Sequence, residues 1–196
     1  MSFEVQTYQS VQEVGQEAWD RLSGEVPFAS YQWYRFGEVV LADDSPIYLV
    51  LSSAGEPVAR ATFWLKKRET LPISSRLLRR FLAATLSRWP LLACRSPLSS
   101  TSGLVLPEPP LRDAALKTIV RCARDLAEQF GASVLLFDYL DRQELDWPVW
   151  QDDFVTVPDL QPGTYLALCW PDFESYLSHL DKKQRYNVRR NDRLVA

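Results

Sequence analysis

The 196-residue sequence has little cysteine, a single histidine and no long uninterrupted apolar run. Cys94, Cys122 and Cys169 are far apart, odd in number and in no CxxC pair, which argues against a disulfide framework or a zinc site and favours a reducing compartment. The longest apolar stretch, residues 76–94, is interrupted by four Arg and one Pro, which excludes a membrane-spanning helix. The first ten residues lack the cationic and apolar regions of a signal peptide. We therefore expect a cytoplasmic protein that binds no metal.

Catalytic side chains are also scarce. A base role for His179 would require a nucleophile and an orienting acid nearby, so we expect a surface or packing histidine. Asp138 follows an apolar run, where its carboxylate is either a general base for an attacking amine or a solvated loop acid. The three cysteines are expected to be small buried apolar groups.

Charge of each sign is concentrated in separate segments, although the net charge is only −3. Residues 60–95 contain nine Lys or Arg and one acid, whereas residues 125–176 contain eleven acids and one base. Residues 181–196 are basic again, with six Lys or Arg. Local fields of this kind influence which partners approach a surface more than the net charge does.

The pattern of apolar and turn residues predicts a mixed α/β domain. The predicted elements before the chain midpoint are a strand at 3–8, one continuous helix after the Ser10/Glu13 capping box, a helix capped by Ser30 and a β-hairpin around Ala54-Gly55. The later ones are a short strand at 104–106, a helix at 111–130 between Pro109-Pro110 and Gly131, a buried strand at 132–139, strands at 152–157 and 164–170, and a final helix from 171. This order predicts one mixed sheet flanked by helices, with the long helix crossing between strands.

The order of elements and two short motifs carry a family resemblance. The order is that of the GNAT acyltransferase fold. "KQRYNVRR" (183–190) looks like the K-x-R-Y-N-I-R segment of Fem-type peptidyltransferases and their acetyltransferase relatives, some linked to exopolysaccharide or cellulose synthesis. "PFASYQW" (27–33) resembles the F-x-S-x-x-W helix start of that group.

The resemblance implies a domain organisation, because members of that group usually contain two tandem GNAT-like halves. Residues 1–170 would form an N-terminal GNAT-like domain with a basic insertion at 69–95. Residues 171–196 would begin the inter-domain helix, and a missing C-terminal GNAT-like half would follow Ala196. The implied function is acyl or aminoacyl transfer to an amine or hydroxyl of a cell-envelope or polysaccharide precursor. Catalysis would lie mainly in the second half, with acyl-CoA or aminoacyl-tRNA as the donor.

The resemblance also specifies what a coenzyme site would need. A GNAT site grips the pyrophosphate of acyl-CoA with backbone amides of a glycine-containing loop at a helix N-terminus. The stretch "QEVGQEA" (12–18) falls inside a predicted helix and carries two acids, so we reject it. Before the long helix, "VLPEPPLRD" (105–113) has prolines that remove donors and acids of the wrong charge. We therefore expect this half to bind no CoA and to be inactive in isolation.

The cationic final helix is the predicted substrate-binding surface. Arg185 and Arg189 are four residues apart and share a helix face, with Lys182 one turn earlier and Asn187 between them. Arginine forks bind phosphate bidentately, so this face suits an anionic, phosphate-bearing substrate. The alternative is a solvated face whose basic residues favour a helix C-terminus. A separate apolar stripe (Phe173, Leu177, Leu180, Gln184 and Val188) is expected to face the sheet.

Residues 75–89 suggest a different function. Their pattern predicts a basic amphipathic helix, which can lie in an anionic membrane interface at the inner face of the membrane. The competing interpretation is an insertion packed on the domain or on the second half. The alternative function is accordingly a non-catalytic binding module that uses basic faces for a membrane surface or nucleic acid.

Overall fold

The structure is a computed structural model that describes residues 3–24, 26–66, 90–151, 154–157 and 169–195. It divides into two compact units, Met1–Thr156 and Val157–Ala196. The elements of the first unit are β1 (Glu4–Tyr8), α1 (Val11–Val14), α2 (Gln16–Ser23), a 3₁₀ turn (Pro27–Ala29), α3 (Tyr31–Val40), β2 (Ser45–Ser53), β3 (Glu56–Lys66), β4 (Leu91–Cys94), β5 (Leu104–Val105), α4 (Arg112–Gln129), β6 (Val134–Phe137), α5 (Arg142–Leu145) and a second 3₁₀ turn (Pro148–Trp150). Those of the second unit are α6 (Phe173–His179) and α7 (Lys182–Val195).

Six strands form the mixed sheet that the sequence predicts. The order is β1-β2-β3-β4-β6, and β5 pairs with β3 beyond the end of β4. All neighbours are antiparallel except β4 and β6, which are parallel and are linked through α4. A parallel pair requires a crossover connection, and the long helix supplies it. The predicted fold class is therefore confirmed.

The β2–β3 hairpin turns on the two residues that the sequence indicates. Ser53 pairs with Glu56 across a loop of Ala54 and Gly55, whose φ values are 54° and 82°. Positive φ at both central residues matches the right-handed twist of the flanking strands. Glycine adopts this conformation readily, whereas Ala54 occupies it at a steric cost.

The first predicted helix is interrupted, so the expectation of one continuous helix is wrong. Gly15 separates α1 from α2. Its φ is 87°, a backbone conformation that is unfavourable for a residue with a Cβ. Ser10 caps α1 as predicted by accepting the Gln12 N–H, but the Glu13 carboxylate accepts the N–H of Gln9 rather than that of Ser10. The stretch 12–18 therefore spans a helix break rather than a helix interior.

Helices cover both faces of the sheet. On one face α4 packs against the strands, burying Ile119, Phe63 and Leu92 at its centre. On the other face α2 and α3 enclose an aromatic cluster of Trp19, Tyr34 and Tyr48. Burial of such apolar surface from water is the main favourable term in folding.

A buried charge lies between the sheet and the aromatic cluster that α2 and α3 enclose. Arg60 on β3 is 1% exposed and stacks over Trp19, with its guanidinium carbon 4.0 Å from the ring centroid. Its Nη2 donates to Ser23 Oγ at 2.9 Å and to the Ala29 carbonyl at 3.1 Å. Trp19 Nε1 donates to the same carbonyl at 2.8 Å. Together these bonds attach the first 3₁₀ turn to the sheet.

Several strand predictions need correction or remain outside the description. The predicted strand at 132–139 forms as β6 over 134–137, but Val134 is half exposed because β6 is an edge among the described strands. Residues 154–157 are irregular, so the strand predicted at 152–157 is wrong there. The strand at 164–170 and the segment 75–89 lie largely or wholly outside the described residues. Gly131 ends the α4 region as predicted, with φ of 63°.

The final helix of the prediction is two helices. Leu180 is extended, and Asp181 begins a new turn because its carboxylate accepts the Gln184 N–H while Gln184 Oε1 accepts the Asp181 N–H. This reciprocal pair is a helix start signal. The predicted apolar stripe from Phe173 to Val188 therefore does not lie on one helix face.

Candidate functional site

The candidate site is the crevice where β4 and β6 part. These parallel strands pair from Leu91↔Val134 to Cys94↔Phe137, and the Asp138 N–H donates to the Cys94 carbonyl at 3.0 Å. Beyond this bond the segments that follow β4 and β6 diverge. Ligands of open α/β sheets bind outside the carboxyl ends of strands at such a divergence.

A closed loop separates β4 from β5 at this point. Thr62 on β3 accepts the Arg95 N–H at 3.2 Å and donates its own N–H to the Gly103 carbonyl at 3.0 Å. The intervening loop is closed by Ser96 N–H donating to the Thr101 carbonyl at 2.9 Å. One residue of β3 therefore faces both ends of a nine-residue stretch, as in an extended β-bulge.

Gly103 permits this close approach. An added Cβ would lie 2.7 Å from both the Arg95 nitrogen and the Thr62 carbonyl oxygen. These neighbours are backbone atoms of paired strands, which cannot move aside cheaply. The absence of a side chain at Gly103 therefore allows β5 to pair with β3 directly beyond the end of β4.

A cavity of about 230 Å³ lies beside β5. Its lining comes from β5, the first turn of α4 and the segment after β6: Leu104, Leu106, Arg112, Asp141, Gln143, Glu144 and Trp147. Arg112 Nη2 pairs with Glu108 Oε2 at 2.9 Å and its guanidinium carbon lies 5.7 Å from the Trp147 ring centroid. Among the described lining residues the one cation is thus engaged, whereas Asp141 and Glu144 line a largely polar space.

The two carboxylates belong to a capping box. Asp141 Oδ1 accepts the Glu144 N–H and Glu144 Oε2 accepts the Asp141 N–H, each at 2.7 Å. Burial raises the pKa of Glu144, and the nearby Asp141 charge adds to the shift, although the bond from the Asp141 amide opposes it. A carboxylate with a raised pKa is a better proton acceptor near neutral pH.

Asp138 is at the crevice, but it is ion-paired. Its Oδ2 lies 3.2 Å from Arg95 Nη2, and its Oδ1 accepts the Tyr139 N–H at 3.0 Å. The interpretation as a solvated loop acid is therefore wrong. The pair links the two strand ends that diverge, and Tyr139 beside it adopts a positive φ of 56°.

The N-terminus of α4 retains backbone donors. The helix begins at Arg112 and its N-cap, Leu111, offers no side-chain acceptor. Pro109 and Pro110 precede the first helical turn, so they remove donors from the approach and not from that turn itself. Glu108 and Asp113 nevertheless place two acids beside these amides, which disfavours an anion there.

A catalytic role is less well supported for the histidine and the cysteines. His179 is exposed, and its Nδ1 lies 2.7 Å from the Ser175 carbonyl oxygen. Cys94 is buried as expected and burial raises its pKa strongly, which makes its thiol inert. Cys122 is half-buried, whereas Cys169 is exposed and contradicts the expectation of burial.

The predicted basic face occurs on α7, but two of its members have partners. Arg189 Nη2 bonds to Glu174 Oε2 at 3.0 Å, and Arg185 Nη2 donates to the Leu180 carbonyl at 3.0 Å. Lys182 and Asn187 are exposed. Arg185 and Arg189 thus also connect α7 to α6.

The described ranges contain neither a metal-binding cluster nor a membrane-spanning helix. Among these residues there is no group of three or more His, Cys, Asp or Glu placed to hold a metal ion. In the same part of the chain, no helix has both the length and the apolar composition needed to cross a membrane.

Most residues that line the cavity cannot be identified from the sequence. Sequence reasoning does not identify Arg112, Glu144 or Trp147 as site residues, although the D-x-x-E spacing of Asp141 and Glu144 signals a capping box. Arg112 and Trp147 become neighbours only because α4 and the segment after α5 meet beside β5. No local pattern encodes that meeting.

The fold is shared with GNAT-fold N-acetyltransferases. No protein-family model and no curated protein matches the sequence. Aminoglycoside antibiotic 6′-N-acetyltransferase AAC(6′)-Ig from Acinetobacter haemolyticus matches with a TM-score of 0.52 and 12% identity over 84% of this chain and 99% of its own. AAC(6′)-Iy, solved with the bisubstrate analogue CoA-S-monomethyl-acetylneamine, matches with a TM-score of 0.51 and 15% identity over 86% of this chain and 100% of its own. The likeness confirms the GNAT-like fold, and the Fem-type resemblance stays a prediction.

Proposed function

We propose that this GNAT-fold chain is the acceptor-binding part of an acyl- or aminoacyl-transferase and does not itself hold acyl-CoA. The observation that carries the proposal is the acidic lining of the cavity beside β5: Asp141 and Glu144 line it, while Arg112, the one cation among its described lining residues, is paired with Glu108. Carboxylates attract an ammonium group and repel a pyrophosphate. The acceptor is therefore an amine.

Glu144 is suited to receive a proton from that amine. Acyl transfer requires a neutral attacking nitrogen, and a carboxylate whose pKa is raised removes a proton more readily near neutral pH. The acyl donor is held elsewhere, in the further GNAT-like domain that the Fem-type resemblance implies. An envelope or polysaccharide precursor with an amino group fits this division of roles.

Acetyl-CoA binding tests the proposal directly. In a calorimetric titration we expect no saturable binding by the 196-residue chain, with a dissociation constant weaker than about 1 mM. The matched control is the double variant Asp141→Asn and Glu144→Gln, since both replacements retain capping groups and remove the two charges. The control should bind acetyl-CoA more tightly than the native chain does. Micromolar binding by the native chain would refute the proposal.

We propose separately that the basic face of α7 binds an anionic, phosphate-bearing ligand. Because Arg189 is paired with Glu174, a phosphate must displace that carboxylate. We expect Arg189→Ala to weaken the binding of inorganic pyrophosphate roughly tenfold and Glu174→Gln to strengthen it. Neither should change thermal stability much, because an exposed ion pair contributes about 0–1 kcal/mol. Lys117→Ala, an exposed lysine on α4, is the control, and equal pyrophosphate affinities in all variants would contradict the role.

A further inference from the structure

Three buried polar side chains, here called the Arg60 cluster, lie together on the sheet face that α2 and α3 cover: Tyr34, Arg60 and Thr62. Arg60 and Thr62 are alternate residues of β3 and therefore point to the same face. Thr62 pairs with Tyr48 of β2, and the Tyr34 ring lies 6.1 Å from the Tyr48 ring and 5.1 Å from the Arg60 guanidinium carbon. The exposed fractions of Tyr34, Arg60 and Thr62 are 0%, 1% and 0%.

Four atoms of the Arg60 cluster have no hydrogen-bond partner within the described part of the chain: Arg60 Nε, Arg60 Nη1, Tyr34 Oη and Thr62 Oγ1. The two nitrogens can only donate, and each hydroxyl can donate as well as accept. Buried polar groups are bonded in the great majority of cases, because an unmade bond leaves the cost of desolvation uncompensated. The cluster therefore favours a ligand that accepts hydrogen bonds.

The cluster also carries a positive charge that no described carboxylate contacts. Arg60 forms no ion pair with any residue that the structure describes. The bonds from its Nη2 go to the neutral Ser23 hydroxyl and Ala29 carbonyl. The Glu38 carboxylate on α3 accepts the Tyr48 hydroxyl at 2.7 Å instead. Burying an unpaired charge is much more costly than burying a neutral polar group, so the site favours an anion.

The aromatic rings beside Arg60 compensate only part of this cost. Trp19 is stacked on the guanidinium, with its ring centroid 4.0 Å from the guanidinium carbon. Such a ring attracts the cation through its face, whereas the N–H groups of a guanidinium point outward in the guanidinium plane. Water can accept from these groups but brings no charge. Because protein interiors are close-packed, a small anion suits this position better than a bulky one.

From these observations we infer that the Arg60 cluster binds a small monovalent anion of the halide type between the sheet and helices α2 and α3. Arg60 supplies the charge and donates through Nε and Nη1, and the Tyr34 and Thr62 hydroxyls donate to the same ion. The site lies on the sheet face opposite α4 and does not include Asp141 or Glu144. The inference is therefore independent of the proposed catalytic role.

The position of the site gives the anion a structural role. Arg60 holds the Ala29 carbonyl, and Ser96 Oγ, in the loop after β4, donates to the neighbouring Phe28 carbonyl at 2.6 Å. A guanidinium fixed by an anion therefore fixes the 3₁₀ turn that contacts this loop. We expect the anion to stabilise the fold rather than to take part in a reaction.

Urea denaturation of the full chain in sodium chloride and in sodium gluconate, at equal ionic strength, tests this inference. We expect the unfolding midpoint to rise with chloride concentration and to stay lower in gluconate, because a ligand that binds only the native state stabilises it by mass action. Thr62→Val removes one donor and should weaken the apparent chloride affinity roughly tenfold. Thr7→Val, at an exposed threonine of β1, is the matched control and should leave the chloride dependence unchanged.

Bromide, which replaces chloride and scatters anomalously, supplies the second arm of the test in crystals of the full chain. We expect an anomalous peak bonded to Arg60 and to the Tyr34 and Thr62 hydroxyls, with lower occupancy in Tyr34→Phe. No peak in the cluster, or equal midpoints in chloride and gluconate, overturns the inference and leaves water as the partner of these donors. A peak without chloride-specific stabilisation also overturns it, because that result shows an adventitious ion only.

Discussion

Replacing Trp19 with Ala is expected to lower the free energy of unfolding by about 3–5 kcal/mol. Trp19 is fully buried, and its ring lies 4.6 Å from Tyr34 and 5.3 Å from Tyr48. Its loss leaves a cavity between the sheet and helices α2 and α3. The same change removes the aromatic face under Arg60, so a buried guanidinium loses the ring on which it stacks.

Urea denaturation followed by circular dichroism measures this loss. Trp19→Phe is the matched control, because it keeps most of the ring volume and removes the indole bond to the Ala29 carbonyl. We expect a smaller loss for the control, on the order of 1–2 kcal/mol. A loss below about 1 kcal/mol for Trp19→Ala would mean that the aromatic cluster contributes little to stability.

Gly103→Ala is expected to destabilise the fold by about 2–3 kcal/mol, although it adds only one methyl group. The new Cβ would lie 2.7 Å from the Arg95 nitrogen and from the Thr62 carbonyl oxygen, so the strands must separate. The bond between the Thr62 N–H and the Gly103 carbonyl should weaken first. The Thr62 amide should consequently exchange with solvent faster than amides of the β1–β2 pair.

Hydrogen exchange together with denaturation distinguishes this mechanism from a general loss of stability. Ser102→Ala is the control, because it adds no bulk and removes only the bond from the Leu104 N–H to Ser102 Oγ. We expect it to cost less than about 1 kcal/mol and to leave the Thr62 amide protected. If Gly103→Ala matches the control in both measurements, the close approach at Gly103 does not contribute to stability or to the protection of the Thr62 amide.

The break between α6 and α7 is encoded by a local helix-start signal. The predicted final helix ran through Leu180, yet Asp181 and Gln184 have the spacing of a helix start. In the same way, Gly15 divides α1 from α2 through a positive φ, which glycine adopts most easily. At both positions capping and glycine signals outweigh apolar periodicity.

Local sequence signals are enough to predict the mixed α/β class, the hairpin at Ala54-Gly55 and the crossing helix α4, because period, turn chemistry and capping are local properties. Three features come from the tertiary structure alone: Arg60 is buried beneath Trp19, Asp138 meets Arg95, and Gly103 has no room for a side chain. Each of these depends on which residues of distant segments become neighbours.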